Sequence, residues 1–265
     1  MKEITIEERK TISLEILSEI HDFCEKNNIC YFLDYGTLLG AVRHKGYIPW
    51  DDDIDISMKR DDYERFLKTF CSSKYEIANY RDKKFFAIQF SKVYDKKTFG
   101  ILLDKINLNY GVAVDVFPLD EIPEQDNEQK VILRKIKHVD RFYLKSLFCQ
   151  NFVRIESIKD IVKLIYGKIF PATKLAKKRE NVVLDNQSKE TTLLGFIDST
   201  IRLDINKKSS YDSRILLDFE GNQFYAPKDY ESVLISHYGE NYMQPPAEKD
   251  RESTHTEKYY WKEDL

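Results

Sequence analysis

Residues 47–57, YIPWDDDIDIS, put four aspartates into five consecutive positions: Asp51, Asp52, Asp53 and Asp55. Ile54 and Ile56 alternate with them, the pattern of a half-buried strand. Alternate strand residues share a face and rise about 3.3 Å each, which puts Asp53 and Asp55 on one face about 6.6 Å apart. Ile54 and Ile56 then point into a core. Asp51 has the same parity but directly follows Pro49-Trp50 and belongs to the entering loop. Two carboxylates about 4 Å apart repel by about 4 kcal/mol at an effective dielectric of 20. A fold that tolerates this places something positive between them. A hard divalent cation does so, since Mg²⁺ is usually held by one or two carboxylates plus substrate phosphates.

Three other readings compete. An acidic surface turn is the ordinary fate of such a run, but the Ile54/Ile56 alternation argues against it. A helix-loop-helix calcium site also begins D-x-D-x-D, and Asp62 falls at its twelfth position. It fails at the sixth, where the turn needs Gly and the chain has Ile56. The D-x-D site of a nucleotide-sugar glycosyltransferase stays open.

A third carboxylate is offered by VAVDVFPLD (112–120), where Asp115 stands between Val114 and Val116. A buried acid in such a strand costs several kcal/mol unless it is paired or bound to metal. Asp120 reads instead as a strand-end residue capping a loop. Upstream, Gly36 lets the backbone approach a ligand closely. Thr37 at a helix start is a ready phosphate site. Arg43 suits bidentate phosphate contact. His44 and Lys45 read equally well as the solvated cationic end of a helix.

Around these motifs the periodicity predicts an amphipathic helix over 6–27 and a short buried strand at 30–35. A short helical run over 36–46 and a strand at 53–58 follow, then a helix over 60–73. Further strands are expected at 75–80, 85–95 and 111–120, and mostly helix over 127–180. A hairpin over 214–227 turns at Gly221-Asn222, and a helix has Pro227 near its start and Gly239 at its end. The expected architecture is α+β, a mixed sheet flanked by helices. Its expected parts are a core over 1–125, a basic helical insertion over 126–210, and a return to the core over 211–265.

The chain of 265 residues has a net charge of −3, but residues 130–179 carry 14 Lys/Arg against Asp140, Glu156 and Asp160. That block sums to +11 and the remainder to −14, a basic surface for an anionic partner on an acidic protein. In 157–179, Ile158, Ile161, Val162, Ile165 and Ile169 follow helical spacing, with Lys159, Lys163, Lys168, Lys174, Lys177, Lys178 and Arg179 beside or beyond them. Either this helix packs its apolar stripe on the core, or it lies on an anionic membrane. MKEITIEERK at the N-terminus has no signal-peptide apolar stretch, and no apolar run reaches spanning length. Cys24, Cys30, Cys71 and Cys149 form no C-x-x-C pair and are expected as reduced thiols. The expectation is a cytoplasmic protein, at most peripheral on the inner face of the cell membrane, with no nucleic-acid partner.

GTLLGAVRHKGYIPWDDDIDI (36–56) closely resembles the signature of the LicD-family phosphotransferases, which are related to fukutin-type enzymes. The resemblance continues through KVYDKKT (92–98), VDVFPLD (114–120), FEG (219–221) and YGENYMQPP (238–246). It implies a nucleotidyltransferase-like fold, in which a Gly-Ser/Thr helix start, a D-x-D strand and a third Asp surround the chemistry. The matching residues are Gly36-Thr37, Asp53, Asp55 and Asp115, with Lys92 as a further substrate-binding candidate. The resemblance further implies Mg²⁺ (or Mn²⁺) on Asp53, Asp55 and Asp115. The implied activity transfers a substituted phosphate from a CDP-linked alcohol to a glycan or lipid-linked glycan, such as a teichoic-acid precursor, releasing CMP. CDP-choline is the donor it suggests first, with CDP-ribitol and CDP-glycerol as alternatives. A choline pocket would be an aromatic cage, for which 17 Tyr and 16 Phe provide material. The chain departs from the family at Tyr35, where members often have Gly, so the phosphate loop is expected to differ there.

Overall fold

A computed structural model of the chain describes residues 2–81, 88–102, 104, 106–147, 149, 155–188, 190–197, 205–251 and 257–262. Its first half runs α1 (Ile6–Asn27), β1 (Phe32–Leu33), α2 (Tyr35–His44), β2 (Asp55–Lys59), α3 (Arg60–Thr69), β3 (Tyr75–Ala78), β4 (Ser91–Asp95), β5 (Thr98–Leu102), β6 (Ile106–Asn107) and β7 (Ala113–Ile122). The second half adds α4 (Asp126–Leu147), α5 (Ile158–Ile169), α6 (Ala172–Leu184), β8 (Leu193–Gly195), β9 (Asn206–Lys207), β10 (Arg214–Phe219), β11 (Asn222–Pro227), α7 (Tyr230–Tyr238) and β12 (Glu257–Trp261).

Among the described residues a mixed sheet has the order β1-β2-β7-β4-β3, and β8 and β9 extend it from the far end of β7. β2 and β7 pair in parallel, with Asp55 opposite Asp115. β4 lies antiparallel on the other side of β7 and sets Lys92 opposite Asp115. This α+β core is buried by α1, whose Ile16, Leu17 and Ile20 are fully inside, and by Tyr63 and Phe66 of α3. A small second core of Ile122, Ile132, Ile136, Val183 and Ile197 sits where α4 and α6 meet the end of β7. No helix of the described residues is long and apolar enough to cross a membrane.

α1 matches its expected span because Thr5 and Glu8 form a capping box at its start and Asn28 ends it in the left-handed conformation. Several boundaries differ from expectation. β2 begins at Asp55, not Asp53. α2 begins at Tyr35, where the buried Asp34 caps it, so Thr37 is the third residue of its first turn. The hairpin turns at Glu220-Gly221, both at positive φ as a tight two-residue turn requires. Pro227 closes β11 instead of opening α7. The 126–210 stretch is not wholly helical, since β8 and β9 return to the sheet. Residues 85–87 of one expected strand lie outside the described residues; its strand is Ser91–Asp95. Residues 148, 150–154, 189 and 198–204 of the expected insertion also lie outside them.

The helical segment is tied to the core by charge. Arg60 forms a two-pronged pair with Asp120 (2.7 and 2.5 Å) and reaches Glu180 of α6 at 3.2 Å. Arg81 bonds Glu180 at 2.6 Å and Glu64 at 2.6 Å, and Tyr80 donates to Glu180. Asp120 is therefore not a loop cap: it is buried inside β7 and also accepts from Gln187. Asp120→Ala would take the two-pronged partner from the buried Arg60 guanidinium and leave it only single contacts to Glu180 and Glu64, for an expected loss of about 3 kcal/mol in urea unfolding. The double change Arg60→Met with Asp120→Leu is expected to recover most of that loss, which an equal or larger loss would refute.

Candidate active site

α2 and the loop 45–54 carry the site to the end of the central strands. Asp34 caps α2 by accepting the Tyr35 N–H at 2.9 Å and is itself held by the Ser57 hydroxyl. Tyr35 follows at φ +45°, the left-handed region that favours glycine. Its ring packs on Phe117 (5.0 Å between centroids) and His237 (4.8 Å), contacts that glycine could not make. Gly36 lets the Asp51 side chain come close: a Cβ there would stand 2.6 Å from Asp51 Oδ2, and the carboxylate would have to shift. The Asp51 carboxylate thus lies against the first turn of α2, where exposed N–H groups favour an anion. Thr37 is buried and accepts the Asp55 N–H at 2.8 Å, fixing the first residue of β2 to α2.

The aspartates have separate partners. Asp52 is buried and paired with Arg9 of α1 at 2.7 Å. Asp53 stays partly exposed in the loop. Asp55 is held well above the usual carboxylate range by burial, then by Asp53, Asp115 and Asp51, with Lys92 opposing. Burial likewise raises Asp115 against the pull of Lys92. Lys92 donates to both Asp115 oxygens at 2.5 and 2.6 Å and lies over the Phe90 and Tyr110 rings, 5.2 Å from each centroid. Burial alone would lower Lys92, but the Asp115 charge outweighs it and keeps the ammonium protonated.

Three carboxylates around one cation were expected. In this structure Lys92 is the cation that meets Asp115, and among the described residues no three His, Cys, Asp or Glu form a metal-holding group. The donor chemistry nonetheless suits a hard ion. Asp51, Asp53 and Asp115 all act on Asp55 as like charges, and all the donors are carboxylate oxygens.

Beside Gly36 and Asp51 opens a cleft of about 440 Å³, lined also by Arg43, Trp50, Tyr238 and Tyr242. Arg43 bonds the Tyr242 carbonyl at 2.9 Å and donates to the His44 ring. Burial, then Arg43, lowers the His44 imidazole, as fits an acceptor. Phe90, Phe117, Phe196 and Tyr35 form an aromatic group, with Phe90 and Phe117 centroids 4.3 Å apart. Sequence reasoning missed Arg9, Asp34 and His237. Asp34 alone had a local signal, an N-cap residue just before a helical run.

A family model described as the LicD/FKTN/FKRP nucleotidyltransferase domain matches residues 28–164. That span holds α2, the aspartates, Lys92 and Asp115. The chain is also 30% identical over 269 aligned residues to the lipopolysaccharide cholinephosphotransferase LicD of Haemophilus influenzae, covering 98% of this chain and 99% of that one. This chain belongs to the LicD family. Uncharacterised proteins of Rickettsia typhi (42% identical over 81 residues) and Rickettsia prowazekii (46% over 63) match shorter parts. These cover 29% and 23% of this chain, and 26% and 24% of the relatives.

In this LicD-family site the crowding of Asp55 has a measurable cost. The unfolded carboxyl titrates at its ordinary value and the folded one higher. Between the two, the folded state binds a proton that the unfolded state lacks, so stability falls as pH rises through that window. Asp55→Asn removes this loss. In EDTA at pH 7.5 its melting temperature is expected to exceed that of wild type by about 2 °C or more. The gap should narrow near pH 3, below the ordinary carboxyl value, where both states of the wild type are mostly protonated. A variant that melts lower at pH 7.5 would contradict the assignment.

Proposed function

We propose that this protein transfers a substituted phosphate from a CDP-linked alcohol to a hydroxyl of a cell-surface glycan or its lipid-linked precursor, releasing CMP. The observation that carries this is the set of carboxylates of Asp51, Asp53, Asp55 and Asp115, gathered with Lys92 beside the first turn of α2. Such a cluster is costly to the fold and suits phosphoryl chemistry, in which positioning and charge stabilisation provide most of the catalysis. Phosphocholine is the group we favour. The named activity of the Haemophilus influenzae relative supports it, and so does the aromatic group of Tyr35, Phe90, Phe117 and Phe196 next to Asp115. A quaternary ammonium is attracted to such ring faces.

In this reading the acceptor hydroxyl attacks the phosphorus that bears the alcohol, and the phosphorus–oxygen bond to CMP breaks. Asp115, raised by burial while Lys92 keeps its charge tolerable, takes the hydroxyl proton. Asp53, Asp55 and Asp115 would hold Mg²⁺ (or Mn²⁺), which when bound neutralises the diphosphate and the leaving phosphate. Gly36 leaves room for the donor phosphate at the turn where Asp51 lies. Thr37 holds Asp55 in register. Arg43 lines the neighbouring cleft, whose Trp50, Tyr238 and Tyr242 offer rings for the cytidine. Lys92 orients Asp115. We place the reaction in the cytoplasm, in keeping with four free cysteines.

The test is mass analysis of products from CDP-choline, CDP-ribitol and CDP-glycerol with a glycan acceptor. CMP together with a phosphodiester-linked alcohol on the glycan is expected, best with CDP-choline. Release of a nucleoside diphosphate from a sugar nucleotide would identify a glycosyltransferase instead. Asp53→Asn, Asp55→Asn and Asp115→Asn are each expected to lower kcat by about 10²-fold or more with the fold kept. Asp52→Asn, which loosens the tie to Arg9, should cost less activity than any of these. Turnover should stop in EDTA and return with Mg²⁺ or Mn²⁺; full activity in excess EDTA would sink the metal part.

A further inference from the structure

α5 is amphipathic in the reverse of the usual sense. Its inward face is small and polar: a Cβ on Gly167 would stand 2.6 Å from the Cys149 carbonyl oxygen, and Asp160 is buried in the capping box with Ser157. The expected apolar stripe points the other way. Ile158, Ile161, Val162, Ile165 and Ile169 are between 47% and 80% exposed, within an arc of about 100° on the helix. The reading in which this stripe packs on the core is thereby overturned.

The rim of the stripe is cationic. Lys159 and Lys163 lie along one side and Lys168 along the other, all exposed, and Lys174, Lys177 and Lys178 continue the exposed charge onto α6. Over 155–178 the one exposed acid is Glu156. Arg179 drops out of the set, because it is buried and paired with Asp140 at 3.0 Å. Folding left this face apolar at the cost of water contact, while turning the helix's own acid inward.

We infer that α5 is an interfacial helix that seats the protein on an anionic lipid surface. Its isoleucines and valine enter the headgroup boundary and the lysine rim meets the lipid charge. A helix lying in the plane of a bilayer has this arrangement of broad apolar face and basic flanks. A second copy of the chain suits the face poorly, since facing stripes would bring two lysine rims together. An anionic bilayer offers the opposite charge along the whole rim, worth roughly fivefold in partitioning per basic residue near the surface. This inference is independent of the proposed reaction and needs no donor or acceptor.

The full chain is sedimented with vesicles of phosphatidylcholine alone and of phosphatidylcholine with equal phosphatidylglycerol. Wild type should co-sediment with the anionic vesicles at low salt and release as salt is raised. The triple change Ile161→Ser, Val162→Ser, Ile165→Ser should lower binding at least about tenfold. Lys159→Gln, Lys163→Gln, Lys168→Gln should lower it by about as much and flatten the salt dependence. All six side chains are exposed, so circular dichroism and melting temperature should not move. No binding by wild type at low salt overturns the inference, as does equal binding to both vesicle types or by a folded apolar triple variant. Concentration-dependent dimerisation that the apolar variant abolishes, without vesicle binding, assigns the face to a second copy.

Discussion

The parallel pairing of β2 with β7 is the constraint on which the site depends. It sets Asp55 against Asp115 in register, two carboxylates on neighbouring strands, Asp115 buried and Asp55 partly so. Everything nearby answers that repulsion. β4 brings Lys92 to the outer side of Asp115. α1 draws Asp52 away onto Arg9. Thr37 holds the Asp55 backbone so that its side chain cannot retreat. The sheet therefore gathers unfavourable electrostatics at one place, as functional sites commonly do.

Much of this was legible in the sequence. The long first helix, the strand carrying Val114-Asp115-Val116 and the hairpin near Gly221 announce themselves by period and turn chemistry. The acidic cluster is legible because four aspartates amid isoleucines defy ordinary burial. Its partners were not. Arg9 lies 43 residues from Asp52, inside a helix whose pattern speaks only of its apolar face. Arg60, Asp120 and Glu180 look like ordinary surface charges in sequence, and only the packing of α6 against β7 and α3 makes them a buried network. β5 and β12 escaped because their pairing joins segments about 160 residues apart, with no local signal of either.

Tyr35 shows how packing overrides backbone preference. A non-glycine residue at φ +45° costs about 1–2 kcal/mol. The ring meets that cost by filling space between Phe117 and His237. At Tyr35 the chain exchanges backbone ease for an aromatic contact with Phe117 and His237. The LicD-family match covers this region.

The contacts that complete α2 come from far along the chain. Glu220 receives the Tyr47 N–H and donates its own to Lys45, while its carboxylate fills the room left by Gly46. Tyr242 anchors Arg43, and His237 leans on Tyr35. During synthesis the aspartate loop therefore emerges long before the segments that shape it. Until the last fifth of the chain is made, α2 and the loop that follows it lack these particular contacts. Closure over so many residues is entropically slow. The elements that crowd the acids all lie in the first half of the chain, while the contacts that lock α2 in place come from its last fifth.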